Sequence, residues 1–176
     1  MNKESWYLDT CIVIALARNE QRQDSDEQKG LQKIQSALVS GQTSGTKLLA
    51  SSITYYECAP RSKPDPLVRS EMAKVIEKWL DNLRSLVMTQ NVTPDVASFA
   101  RNLREKYEPI EKQLQVGEKM GFADWIHLAT SALYRCDKLL TFDPRMLALG
   151  AHANFAEIVT ISSPVSLCSP GPIFEI

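Results

Sequence analysis

Short apolar runs alternate with stretches of helical period along the chain. Ser5-Trp6-Tyr7-Leu8 predicts a first strand. The apolar run Cys11 to Ala17 after Asp9-Thr10 is too long to extend that strand, so the chain is expected to turn into a helix at Asp9. Residues 19–30 are polar and read as loop or helix end. Leu31, Ile34, Leu38 and Val39 recur at helical spacing, and Gly41 suits a stop. Lys47 to Ser52 predicts a second strand and Ile53 to Ala59 a short helix ending before Pro60. Residues 61–66 form a Pro-rich loop. Leu67 to Leu86, with Met72, Val75, Ile76, Trp79, Leu80 and Leu83 on one side, predicts a long amphipathic helix.

Leu86 to Thr89 predicts a third strand. Thr93-Pro94-Asp95 opens a helix, with Thr93 as cap and Pro94 in its first position, which runs to Tyr107 and breaks at Pro109. Gln113 to Gly121 is read as loop or weak helix. Phe122, Trp125, Ile126, Ala129 and Leu133 share one helix face. Lys138 to Thr141 predicts a fourth strand, Asp143-Pro144 starts a short helix through Leu149, and Ala156 to Ile161 predicts a fifth strand. Residues 162–176 carry Pro164, Pro170 and Pro172 with little periodicity, so an irregular or mobile tail is expected. Strands separated by helices imply an α/β fold of one domain, with a central parallel sheet of four or five strands flanked by helices.

Composition narrows the chemistry. The chain has 176 residues, enough for one domain with its own core. Lys and Arg number 20 against 21 Asp and Glu, for a net charge of -1, so RNA would have to bind through a local patch or a bound metal. No run approaches the length of a membrane span, and an acidic residue at position 4 with no apolar leader argues for a cytoplasmic protein. Cys11, Cys58, Cys136 and Cys168 show neither C-x-x-C nor zinc-finger spacing and are read as reduced thiols. The seven glycines form no phosphate-cradling motif, and no G-x-S-x-G is present.

A parallel sheet binds ligands beyond the carboxyl ends of its strands. Asp9 follows the first strand, Glu57 lies just past the second, Asp143 follows the fourth, and Asp124 opens the helix leading into the fourth. Four carboxylates at one sheet edge repel one another, and a hard divalent cation removes that cost. The chemistry then implied is metal-assisted attack of water on a phosphodiester. A plainer reading stands beside it. Asp9, Asp124 and Asp143 all sit near helix starts, where aspartate caps well, and Glu57 alone reads as a solvated helix residue. Caps accept Ser, Thr and Asn as readily, yet all three junctions use Asp.

These segments resemble a known family. Tyr7-Leu8-Asp9-Thr10 before an apolar helix resembles the opening of a PIN domain, and Ser52-Ile53-Thr54-Tyr55-Tyr56-Glu57 resembles its second motif. Phe122-Ala123-Asp124-Trp125-Ile126-His127-Leu128-Ala129-Thr130 resembles the third, and Leu139-Leu140-Thr141-Phe142-Asp143 the fourth. The third and fourth are the specific ones, and the resemblance spans residues 5–161. It implies a PIN-like nuclease domain over residues 1–161 with the tail at 162–176. It further implies a Mg²⁺- or Mn²⁺-dependent endoribonuclease, of the kind that includes toxins of type II toxin–antitoxin modules. Asp9, Glu57, Asp124 and Asp143 would be its metal-binding and catalytic acids. Thr141 would place its hydroxyl near the metal or the scissile phosphate, although it could equally satisfy a local backbone group. RNA substrate, an antitoxin protein and a homodimer are the implied partners, with Pro60 to Pro66 and the helix after it as a candidate surface.

The position of Cys11 is often small and polar in that family, and the chain is longer than the smallest toxins at residues 18–46, 61–120 and the tail. His127, three residues after Asp124, is read as structural, and Trp79 and Trp125 as core. Arg101, Arg104 and Lys106 are read as a solvated basic face. Two rivals remain: a non-catalytic PIN-like module that binds RNA or protein, and a haloacid-dehalogenase-type phosphatase. The phosphatase wants a second Asp where Cys11 stands.

Overall fold

Residues 4–40, 45–58, 74, 75, 78, 79, 81, 87–114, 116, 117 and 119–168 are described by a computed structural model of the chain. Strands β1 (Ser5–Leu8), β2 (Lys47–Ser51), β3 (Val87–Gln90), β4 (Lys138–Leu140) and β5 (Ile161–Ser162) form one sheet in the order β3-β2-β1-β4-β5. Every pairing is parallel. The helices among the described residues are α1 (Thr10–Ala17), α2 (Ser25–Ser40), α3 (Ile53–Cys58), α4 (Pro94–Leu114), α5 (Phe122–Leu133), α6 (Pro144–Gly150) and α7 (Ala153–Ala156).

Period-two alternation on short strands divides the core into two layers. Trp6, Leu8, Leu48, Ala50, Val87 and Leu140 point to the face covered by α1 and α2. Tyr7, Leu49 and Leu139, aligned across β1, β2 and β4, point to the face covered by α4, α5, α6 and α7. Both faces are buried, which is why these strands read as apolar without interruption. Trp125 is fully buried and Trp79 is partly buried against the first layer. All four cysteines are free thiols.

Several expectations shift. Helix α2 begins at Ser25, inside the stretch read as polar loop; the Asp24 carboxylate accepts the Asp26 and Glu27 N–H groups at its start. Helix α4 continues through Pro109 to Leu114. Proline removes a single N–H bond, and Tyr107 and Glu111, on either side of it and on one helix face, are both buried. The fifth strand is Ile161–Ser162 rather than Ala156 to Ile161. Phe155 is fully buried edge-on to Tyr107, with ring centroids 4.9 Å apart, and this holds the preceding segment as the helical turn α7. The expected Pro-rich loop at 61–66 lies outside the described residues, as does most of the helix expected at Leu67 to Leu86.

The stretch from residue 162 is ordered where it is described. Ser162 pairs in the sheet, and Pro164–Leu167 forms a 3₁₀ turn packed on α2. This packing explains a glycine inside a helix. A Cβ on Gly30 would lie 2.3 Å from the Pro164 carbonyl oxygen and 2.7 Å from its Cβ. In an open helix, Gly→Ala stabilises by about 1 kcal/mol. Here Gly30→Ala should destabilise instead, by about 1–3 kcal/mol, through overpacking. Urea unfolding checks the sign, and a stabilised variant would refute the close packing of the 164–167 turn.

Candidate active site

Parallel pairing sends all strand ends to one edge. Strands β2 and β3 lie on one side of β1 and β4 on the other, so the chain leaving β1 and the chain leaving β4 part and open a crevice. A cavity of about 280 Å³ is lined there by Asp9, Thr10, Cys11, Ile14, Glu57, Asp124 and Asp143. The four carboxylates singled out in the sequence therefore share one cavity. Thr141 is fully buried next to them and is not part of the lining. A larger cavity of about 510 Å³, lined by Ser52, Tyr55, Thr89 and Asn91, holds none of these carboxylates.

Asp9 has extended backbone (φ −67, ψ 157), caps α1, and is 5% exposed. Its Oδ1 accepts the Thr10 N–H at 2.7 Å, and its Oδ2 accepts the Thr141 hydroxyl at 2.6 Å and the Cys11 thiol at 3.1 Å. Thr141 Oγ1 in turn accepts the Asp143 N–H at 2.9 Å. The Thr141 hydroxyl satisfies a local backbone N–H, one of the two roles held open for it, and it also fixes Asp9. Burial, and then the Asp9 charge, push the Cys11 thiol well above its usual range, so it stays protonated and can donate.

Thr10 and His127, whose Nε2 also lies 3.5 Å from Asp9 Oδ1, hold Glu57. Its Oε2 accepts the Thr10 hydroxyl at 2.6 Å and lies 2.7 Å from His127 Nε2. His127 is fully buried, with Nδ1 2.7 Å from the Tyr7 hydroxyl. Nε2 must carry a proton to meet a carboxylate, which fixes the ring's orientation. Burial opposes a charge on His127, but Glu57, Asp9 and Asp124 outweigh it and raise its pKa.

Asp124 sits in the first turn of α5 and accepts the Gly121 N–H at 2.7 Å. Asp143 caps α6 by accepting the Arg145 N–H at 2.8 Å. The Arg145 guanidinium also grips Asp143, through Nε to Oδ1 at 2.9 Å and through Nη2 to Oδ2. Nη2 lies 3.6 Å from Asp124 Oδ2. Burial lifts Asp143, but the Arg145 bonds prevail and hold it below the usual carboxylate value. Asp124 goes the other way. Burial, helped by the charges of Asp143 and Asp9, raises it to about 6 against the pull of the Gly121 N–H and Arg145. Asp9 and Asp143 are thus helix caps and Asp124 bonds back to the cap of α5, and all three also face the shared cavity.

Sequence reading left Thr10, His127 and Arg145 outside this site. His127 carried a signal in its spacing from Asp124. Arg145 carried one in its position, a cation in the first turn of a helix, where the dipole disfavours it.

The donor set fits a hard divalent ion: its ionised groups are oxygen donors gathered in one cavity. Among the described residues no three His, Cys, Asp or Glu side chains close on a single point to hold an ion. Mg²⁺ generally keeps several waters and is held through one or two carboxylates.

A model of the PIN domain family matches residues 6–151, and the chain belongs to that family. Solved structures share the fold. VapBC2 from Rickettsia felis, bound to a DNA fragment from their promoter, superposes with a TM-score of 0.53 at 14% identity, covering 90% of this chain and 98% of that one. A toxin–antitoxin complex from Klebsiella pneumoniae gives 0.51 at 20% identity, with 90% and 96% covered. VapBC-1 from nontypeable Haemophilus influenzae gives 0.55 at 18% identity, with 91% and 98% covered. No curated protein matches the chain.

The raised Asp124 pKa has a stability consequence whose sign is fixed. A carboxyl that binds its proton more tightly folded than unfolded stabilises the protein below the unfolded value, and that stability is lost as pH rises through about 6. The raised His127 acts in the same direction, and the lowered Asp143 acts in the opposite sense below this window. In chelator, the protein should therefore lose about 1–3 kcal/mol between pH 5 and 7.5. Asp124→Asn keeps an acceptor for Gly121 and should flatten that dependence while gaining stability at pH 7.5. Thermal unfolding across pH measures both. An unchanged pH profile in Asp124→Asn would assign the charge crowding elsewhere.

Proposed function

We propose that the protein is a Mg²⁺- or Mn²⁺-dependent endoribonuclease that hydrolyses RNA phosphodiesters, and that it is the toxin of a toxin–antitoxin module. The observation that carries this reading is the convergence of Asp9, Glu57, Asp124 and Asp143, from four separate segments, on one cavity at the sheet's carboxyl edge. Membership of the PIN family supports a nuclease, and the toxin–antitoxin complex among the structures sharing the fold favours the toxin role. The catalytic unit is residues 1–161, and the working compartment is the cytoplasm. No described helix is long and apolar enough to cross a membrane.

When bound, the ion supplies charge neutralisation at the phosphodiester and a lowered pKa for the attacking water. The chain's own residues prepare for that. Asp9, with three donors on its carboxylate, presents its charge in one orientation. Thr141 is a positioning residue that ties Asp9 to the Asp143 turn. His127 and Thr10 hold Glu57 in place. Asp124 brings a further carboxylate to the cavity, one that burial raises to about 6 without an ion.

Incubation of the purified protein with a generic RNA should give cleavage in Mn²⁺ and none in chelator. Asp9→Asn, Glu57→Gln and Asp124→Asn should each cut the rate by about 100-fold or more with the fold retained by circular dichroism. RNA that is bound but left intact in Mn²⁺ would favour the non-catalytic module, and cleavage that survives chelator would exclude the metal mechanism. Light scattering should give the mass of a homodimer; a strict monomer at high micromolar concentration would remove that part of the proposal.

A further inference from the structure

Arg145 is a cation placed where a cation has little reason to be. It stands in the first turn of α6, and its fork is spent on the cavity's own acids, Asp143 directly and Asp124 at 3.6 Å. Nη1 anchors to the Lys119 carbonyl at 3.0 Å. Two of the four carboxylates that would hold a divalent ion are thereby engaged by a charge the chain itself provides.

A third acid lies nearby. Glu111, on α4, is buried at 8% exposure. Its Oε1 accepts the Met120 N–H at 2.9 Å, while its Oε2 has no hydrogen bond. Helix α4 packs on α6, and Glu111 and Arg145 bond the two ends of one peptide group, the Met120 N–H and the Lys119 carbonyl. A buried carboxylate oxygen without a donor destabilises the fold. A glutamine would bond Met120 equally well without a charge. An unsatisfied acid beside an arginine committed elsewhere gives that arginine two alternative partners.

We infer that Arg145 is an internal stand-in for the divalent ion, and that Glu111 is the carboxylate to which its guanidinium moves when an ion takes Asp143 and Asp124. The inference rests on the divalent-ion reading above. Ion binding is then an exchange of one cation for another. Arg145 weakens the ion's affinity by competing for its acids, and Glu111 recovers part of that affinity by receiving the displaced charge. In the ion-free protein Arg145 keeps the acidic cavity from driving the strand ends apart.

Calorimetric titration with Mn²⁺ alone tests this without reference to activity. Arg145→Gln should bind Mn²⁺ about tenfold more tightly than wild type, because the competitor is gone. Glu111→Gln should bind about threefold or more weakly, because the displaced arginine has nowhere to go. The double variant should match Arg145→Gln, because Glu111 acts only through Arg145. In chelator, Arg145→Gln should unfold at lower temperature than wild type, and Mn²⁺ should close the gap. If Arg145→Gln does not fold, Arg145→Lys, which keeps charge but loses the fork, should show a smaller gain of the same sign. Equal or weaker Mn²⁺ binding on loss of the guanidinium, or an unchanged affinity in Glu111→Gln, overturns the exchange while leaving the divalent-ion reading intact. Wild type that binds no Mn²⁺ overturns both.

Discussion

Like charge crowded into a crevice is the constraint around which this molecule is arranged. Two unit charges about 5.5 Å apart repel by about 3 kcal/mol at an effective dielectric of about 20. Four carboxylates in one cavity must therefore be met by donors, by protons or by cations. All three are present. Thr10, Cys11 and Thr141 surround Asp9 with donors. Asp124 is raised to about 6 and lies within reach of a proton near neutral pH. Arg145 brings a positive charge to Asp143 and Asp124, and the acids around His127 raise its pKa.

The fold concentrates the charge and also supplies its braces. Every strand is parallel, so β1 and β4 end side by side, and the Asp9 N–H still pairs with the Leu140 carbonyl at 3.1 Å. Helix α1 then departs at once, buried along Ile12, Val13, Ala15 and Leu16, which fixes Asp9 by what lies behind it. Tyr7 shows the coupling most directly. Its ring fills the core between Leu49 and Leu139, and its hydroxyl holds His127, which holds Glu57. One residue of the central strand thus joins core packing to the geometry of an acid on α3.

The apolar runs made the parallel sheet of four or five strands and the strand-to-helix turn at Asp9 legible, because a doubly covered parallel strand is apolar throughout. The same property hid β5. Ile158, Val159 and Ile161 look like strand, but the sheet needs only Ile161 and Ser162, and burial of Phe155 against Tyr107 decides the rest. Pro109 misled for the complementary reason, since local propensity yields to a helix face anchored on both sides of it. The four carboxylates could be found from their places after strands. Arg145 could not be valued from sequence, because its significance lies in Lys119, Asp124 and Glu111, which approach it only through the packing of α4, α5 and α6.

Capping alone leaves the choice of residues unexplained. Asp9 and Asp143 do cap α1 and α6, but serine, threonine or asparagine would serve those bonds about as well and would carry no charge into the cavity. At Asp124 the charge is a burden, since burial, and then its acidic neighbours, raise it to about 6. A chain shaped only for stability would shed that carboxyl. It would also shed Glu111, whose second oxygen has no donor. Asp9, Glu57, Asp124 and Asp143 are instead kept as acids in one cavity, with Arg145 bridging two of them, which is the arrangement the proposed metal chemistry calls for.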